Sequence, residues 1–123
     1  MTESFPRRGE VYLASLRTGS SRRKTRPVLV VSPDVRNRWA GDLLVVPLST
    51  HLRPAPTHVF LDRGEGGLPQ SSALKCEQIT CLDMALLDSR PLGRPLSPDR
   101  MRAVERALLI SLGIFDLPAT PAG

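Results

Sequence analysis

Through the first two thirds of the chain, apolar residues fall in short runs separated by turn residues; only near the end does the period lengthen to that of a helix. Residues 10–16 alternate weakly and predict a strand. Residues 27–31, Pro-Val-Leu-Val-Val, are apolar throughout and predict a buried strand, stopped by Ser32-Pro33-Asp34. A third strand is predicted over 42–48, with Pro47 near its end. A fourth spans 57–61, with Val59 and Leu61 on one face. Gly64, Gly66 and Gly67 supply a turn before a longer fifth strand over 73–82. Ser97-Pro98-Asp99 then opens a helix, with Ser97 as N-cap, Pro98 at the first helical position and Asp99 at the positive dipole end. Met101, Val104, Leu108 and Leu112 form its apolar stripe, and Gly113 stops it. No helix-length pattern separates the early strands, so parallel crossover units are not expected. The expected architecture is mainly β (α+β): a small curved sheet or partly open barrel with a C-terminal helix packed on it.

Composition narrows this picture. Hydrophobic residues make up 41% and charged residues 24% of 123 residues, which is a globular rather than a disordered balance. The length suits one domain, expected over 1–116, with a loose tail over 117–123. No apolar stretch approaches a membrane span, and residues 1–8 lack an apolar signal core, so the expected location is the cytoplasm. Cys76 and Cys81 are too few for a metal site and are expected to be buried, reduced thiols. Among the five aromatics, Tyr12 and Phe60 are expected in the core. Trp39, in a predicted loop over 36–41, either stacks on an unpaired base or packs on its own loop.

Charge is unevenly distributed. Residues 1–38 carry nine cations against Glu3, Glu10 and Asp34, whereas the rest of the chain carries eight against nine acids. A polyanionic partner would suit this field, and so would a solvated basic face with none. The densest part is Ser20-Ser21-Arg22-Arg23-Lys24-Thr25-Arg26, with four cations in five residues, the last at the mouth of the apolar strand. An arginine held by a rigid element suits a phosphate. A second polar group ends the third strand: Ser49, Thr50 and His51, with Ser49 and His51 on one face if the strand continues. There is no zinc pattern, nucleotide-binding glycine loop or nucleophile elbow.

Several of these segments together resemble the MazF/PemK/Kid family of toxin endoribonucleases. They are Arg8-Gly9-Glu10-Val11-Tyr12, Gly19-Ser20, Arg26 through Val31, Asn37, and Val46-Pro47-Leu48-Ser49. Pro56-Thr57-His58-Val59, Glu77-Gln78-Ile79, Leu82-Asp83 and Ser111-Leu112-Gly113 complete the match. The resemblance implies an SH3-like, CcdB-like barrel, a homodimer, and sequence-specific cleavage of single-stranded RNA without metal or other cofactor. It also implies a cognate antitoxin whose disordered tail occupies the RNA groove. Arg26 takes the position of the family's essential arginine, and Ser49 that of its catalytic hydroxyl, usually threonine. Ser21 stands where many members have glutamate. The RNA-contacting set is then Ser20, Ser21, Arg22, Arg23, Lys24, Asn37, Thr50, His51, His58, Ser72 and Gln78.

Each of these has a plainer role open to it. Arg26 could pair with a carboxylate, Ser49 could cap a turn, His58 could be a satisfied strand histidine, and Ser72 or Gln78 could bond buried backbone groups. Two other functions also fit the pattern: a gyrase-poisoning toxin of the same fold, or a barrel that binds RNA without cutting it.

Overall fold

The computed structural model describes residues 4–17 and 23–115. Ser20, Ser21, Arg22 and the tail over 117–123 therefore lie outside the described residues. Six strands and two helices follow in the order β1 (Val11–Arg17), β2 (Arg23–Val30), α1 (Asp34–Ala40), β3 (Asp42–Ser49), β4 (His58–Leu61), β5 (Ser72–Lys75), β6 (Thr80–Asp83) and α2 (Pro98–Ser111). All strand pairs are antiparallel.

The sheet is organised around β3. One edge of β3 pairs with β2, while its other edge takes β6 along residues 42–45 and β5 along 48–49. β4 adds to β5, and β1 to β2. Past β6 the chain returns to β1 through an Ala14–Leu87 bridge and an Asp88 N–H donated to the Leu13 carbonyl at 2.9 Å. The sheet thus curls back on itself, as expected of a small curved sheet.

This curl explains the unbroken apolar run of β2, which is covered on both faces. Val28 and Val30 pack with Tyr12, Ala14, Leu43 and Val45 on the inner side of the curl. Leu29 and Val31 face the larger cluster, where Val46, Leu61 and Leu74 meet Met101, Val104 and Ala107 of α2. Ser97 caps α2 by accepting the Arg100 N–H at 3.2 Å. Gly113, at φ 77°, ends it in the left-handed region. Arg100 forks onto Glu65 at 2.8 and 3.0 Å, tying α2 to the turn after β4.

Five expectations change. The 36–41 loop belongs to helix α1, closed by Gly41 at φ 76°. The fifth strand is two strands broken by a 3-10 turn at Cys76–Gln78, because the chain must leave β5 before it can pair β6 with the first half of β3. Cys76 is buried as expected, but Cys81 sits exposed on β6. Phe60 is 41% exposed on β4 rather than core; Trp39, for which no core place was expected, is 72% exposed and lies under the Arg38 guanidinium at 4.9 Å. Leu112 falls just past α2 and is exposed; the buried residues of α2 are Met101, Val104 and Ala107, with Leu108 partly buried beside them. No helix among the described residues is long and apolar enough to cross a membrane.

Candidate functional site

β2 begins four residues earlier than the apolar run suggests. Its ladder with β1 runs from Val11–Leu29 out to Arg17–Arg23, so Arg23, Lys24 and Arg26 stand on a hairpin strand rather than in a loop. Alternation then fixes their directions. Arg26 has the parity of Val28 and Val30, which face the inside of the curl. On β3, Ser49 has the parity of Val45 and Pro47. The β2–β3 register pairs Val28 with Pro47. Carried two residues further, it aligns Arg26 with Ser49.

Both residues line one cleft of about 270 Å³, together with Leu16, Arg17, Thr50, His51, Lys75 and Gln78. Leu16 also packs on the inner core cluster, so the cleft is the open polar end of that interior. Five of the expected site residues meet here: Arg26, Ser49, Thr50, His51 and Gln78. Gln78 arrives from the 3-10 turn after β5.

The electrostatics are one-sided. Arg17, Arg26 and Lys75 bring three cations, and no carboxylate lines the cleft among the described residues. Among the described residues, neither Arg26 nor Lys75 has an ion pair or side-chain hydrogen bond. The carboxylate pairing open to Arg26 is therefore not made among the described residues. Ser49 does cap a turn: its Oγ accepts the His51 backbone N–H at 3.1 Å. That bond occupies one lone pair and leaves the O–H free to donate. It also restrains the hydroxyl, which compensates for the missing threonine methyl as a rotamer lock.

Other expected contacts fall elsewhere. Asn37 is completely buried in α1, where it accepts the Ser32 hydroxyl at 2.5 Å and donates to the Ser32 and Pro6 carbonyls. It has no atom left to offer RNA, because tying α1 to Ser32 and to the N-terminal segment at Pro6 consumes its amide. Ser72 is 3% exposed and donates to the Gln70 carbonyl. His58 has its ring nitrogens at 2.7 Å from the Arg53 carbonyl and 3.2 Å from Glu77 Oε2. Both fill the plainer roles open to them. Arg23 bonds the Ser15 carbonyl, and with Lys24 it lies exposed on the hairpin, outside the cleft lining.

Sequence reasoning passed over Arg17 and Lys75. The available signal for Lys75 was a lone cation in the otherwise apolar Ala73-Leu74-Lys75-Cys76.

Comparison with known proteins adds three findings. Residues 7–112 match the model for PemK-like, MazF-like toxins of type II toxin–antitoxin systems. Endoribonuclease EndoA of Bacillus subtilis is 34% identical over 114 residues, covering 89% of this chain and 97% of that protein. An endoribonuclease from a mycobacterial species, solved in complex with its cognate antitoxin, superposes with a TM-score of 0.76 at 31% identity, over 92% of this chain and 99% of that one. The Mycobacterium tuberculosis toxin MazF-mt6, at 24% identity, shares the fold with a TM-score of 0.74, over 86% and 98% of the two chains.

Proposed function

Since the chain belongs to the family of PemK-like, MazF-like toxins of type II toxin–antitoxin systems, we propose that it is an endoribonuclease whose Arg26–Ser49 cleft cuts single-stranded RNA at preferred sequences. The supporting observation is the convergence of a partnerless arginine and a turn-held hydroxyl, from adjacent strands, in a cleft without carboxylates. The similarity to EndoA and to the mycobacterial endoribonuclease supports the same chemistry.

The reaction needs no nucleophile from the protein. The 2′-hydroxyl of the substrate attacks the adjacent phosphorus, the bond to the 5′-oxygen breaks, and the products are a 2′,3′-cyclic phosphate and a 5′-hydroxyl. Negative charge accumulates on the non-bridging oxygens of the phosphorane. Arg26 answers it with a forked donor, and Ser49 adds its free O–H. Holding attacking and leaving oxygens in line supplies much of the remaining acceleration. No step of this reaction needs a metal ion. Gln78, with donors and an acceptor, is placed to read a base edge.

Cleavage of cellular RNA would stop translation and growth. The mycobacterial endoribonuclease was solved in complex with its cognate antitoxin, and in this reading a cognate antitoxin neutralises the chain by covering the Arg26–Ser49 cleft. A homodimer belongs to this reading. It is supported by the exposed apolar residues Leu112, Ile114 and Phe115 after α2.

The test is incubation of mixed-sequence single-stranded RNA with the protein in excess chelator, alongside Arg26→Ala and Ser49→Ala. The expected result is cleavage with cyclic-phosphate ends by the wild type and loss in both variants. RNA left intact by the wild type would sink the ribonuclease reading.

A further inference from the structure

A separate hollow lies at the other end of β1 from the Arg26–Ser49 cleft, and its origin is a mismatch in backbone length. Beyond β6 the chain runs back along β1. The Asp88 N–H donates to the Leu13 carbonyl at 2.9 Å, and the Leu92 N–H to the Val11 carbonyl at 2.8 Å. The returning chain thus takes four residue steps where β1 takes two. The surplus, Ser89-Arg90-Pro91, arches away from β1 and leaves about 370 Å³ beside Tyr12. The opposite wall is the reverse turn before β1, where the Glu10 N–H donates to the Arg7 carbonyl at 3.1 Å and Gly9 takes φ 95°. That turn sets Arg7 beside Glu10.

Several polar groups of this hollow remain open. One Glu10 oxygen, Oε1, accepts both the Arg7 N–H at 2.7 Å and the Tyr12 hydroxyl at 3.1 Å. Burial, then the Glu10 charge and the hydrogen bond to it, push the Tyr12 hydroxyl well above its usual range, so it stays a donor. Oε2 of Glu10 has no partner among the described residues. The Arg7 guanidinium lies over the Phe5 ring at 3.8 Å; the carboxylate paired with it, Asp34, is also 3.8 Å away, beyond hydrogen-bond reach. Arg90, exposed on the arch, has neither ion pair nor hydrogen bond among the described residues. The hollow thus combines two cations, one open carboxylate oxygen and the rings of Phe5 and Tyr12. Its volume is at the low end for small-molecule sites, on the order of 300–1,000 Å³, which suits one ligand rather than a chain. A phosphate monoester, close to doubly charged at neutral pH, matches two arginines. An amine on a base edge matches a carboxylate oxygen.

We propose that the hollow binds one nucleotide with a terminal phosphate, the phosphate between Arg7 and Arg90 and the amine of the base on Glu10 Oε2. Cytosine, adenine and guanine carry that amine and uracil does not, so the site discriminates against uridine phosphates. It shares no lining residue with the Arg26–Ser49 cleft and does not depend on RNA cleavage.

The experiment is calorimetric titration of 5′-CMP and 5′-UMP into wild type, Arg90→Met, Glu10→Gln and Arg26→Ala. Wild type is expected to hold 5′-CMP about tenfold more tightly than 5′-UMP, the contribution of one hydrogen bond to a charged group. Arg90→Met, at an exposed position that leaves the fold intact, is expected to weaken both about tenfold. Glu10→Gln keeps an Oε1 acceptor for Arg7 and Tyr12 but places an amide donor where Oε2 stood. It should therefore reverse the preference toward 5′-UMP, whose O4 accepts. Arg26→Ala, which disables the cleft, should retain 5′-CMP binding. In that same variant, a short 2′-O-methyl RNA with a 5′-phosphorylated cytidine separates two sources of one chemistry. Binding tighter than that of 5′-CMP, and weakened by adding Arg90→Met, makes the ligand an RNA end; weaker binding makes it a free nucleotide. Absence of 5′-CMP binding, equal affinity for 5′-CMP and 5′-UMP in wild type, or unchanged affinity in Arg90→Met overturns the site. So does loss of 5′-CMP binding in Arg26→Ala, which would assign the nucleotide to the cleft and leave the ribonuclease reading standing.

Discussion

Polar residues gather at both ends of β3, and the two ends treat them in opposite ways. At the Asp42 end, Ser32 and Asn37 form a closed knot: the Ser32 hydroxyl donates to Asn37 and accepts the Leu44 N–H at 3.0 Å, while the Asn37 amide takes up two backbone carbonyls. Both side chains are buried and every partner is internal. At the Ser49 end, one bond is made to the hydroxyl and the surrounding cations have none among the described residues. Burial requires satisfaction, so the first end is architecture. The second end leaves its donors to solvent over an open cleft, where a ligand can take them up.

The difference can be broken from either side. Arg26→Ala is expected to produce the largest change, a loss of about 10²–10³ in cleavage rate, as for removal of one preorganised donor to a developing oxyanion. Its melting temperature should hold, because an exposed and partnerless side chain contributes little to stability. Arg26→Lys should recover only a small part of the rate, since a point charge cannot fork onto two oxygens. Asn37→Ala should do the reverse. It strands the Ser32 hydroxyl and two buried carbonyls, at a cost of about 3 kcal/mol in a denaturant titration, with cleavage near wild type well below the melting transition. A cleavage defect in Asn37→Ala without instability would return Asn37 to the RNA-contacting set. Ser49→Thr sharpens the contrast. The added methyl restricts the same hydroxyl, so single-turnover cleavage should match or exceed wild type by up to about threefold, against a loss in Ser49→Ala.

How much of this was legible in the sequence follows from the same physics. β2, β3 and the Ser97-capped helix were readable because their signals are local: an apolar run, a second such run, and a cap with Pro98 behind it. The 3-10 break at Cys76–Gln78 was not, because nothing in residues 73–82 records that β3 must host two different strands on one edge. Arg26 and Ser49 were found through the resemblance, but their alignment depends on a register visible only once Val28 pairs with Pro47. Asn37 was misplaced for the opposite reason. A matched polar residue does not say whether it serves the cleft or the core. Lys75 was overlooked because a single cation in a strand means nothing until the neighbouring loop is seen to leave it open.

The smallest expected effect lies between the two extremes, at the half-exposed pair of Arg100 with Glu65. The two hydrogen bonds from Arg100 hold the Glu65 carboxyl below the usual glutamate range. A carboxyl lowered by folding binds its proton more weakly in the native state than in the unfolded one. Its contribution to stability is therefore complete above the usual glutamate value, declines as the pH falls below it, and is gone beneath the lowered native value. Because both side chains are partly open to water, screening limits the fork to about 1 kcal/mol. Arg100→Met should lower stability by that amount at pH 7 and by much less at pH 3, as read from urea titrations at the two values. It should leave RNA cleavage intact, since neither residue lines the Arg26–Ser49 cleft. An equal loss at both pH values would mean that the arginine stem, packed on the turn after β4, supplies the stability and the charged fork does not.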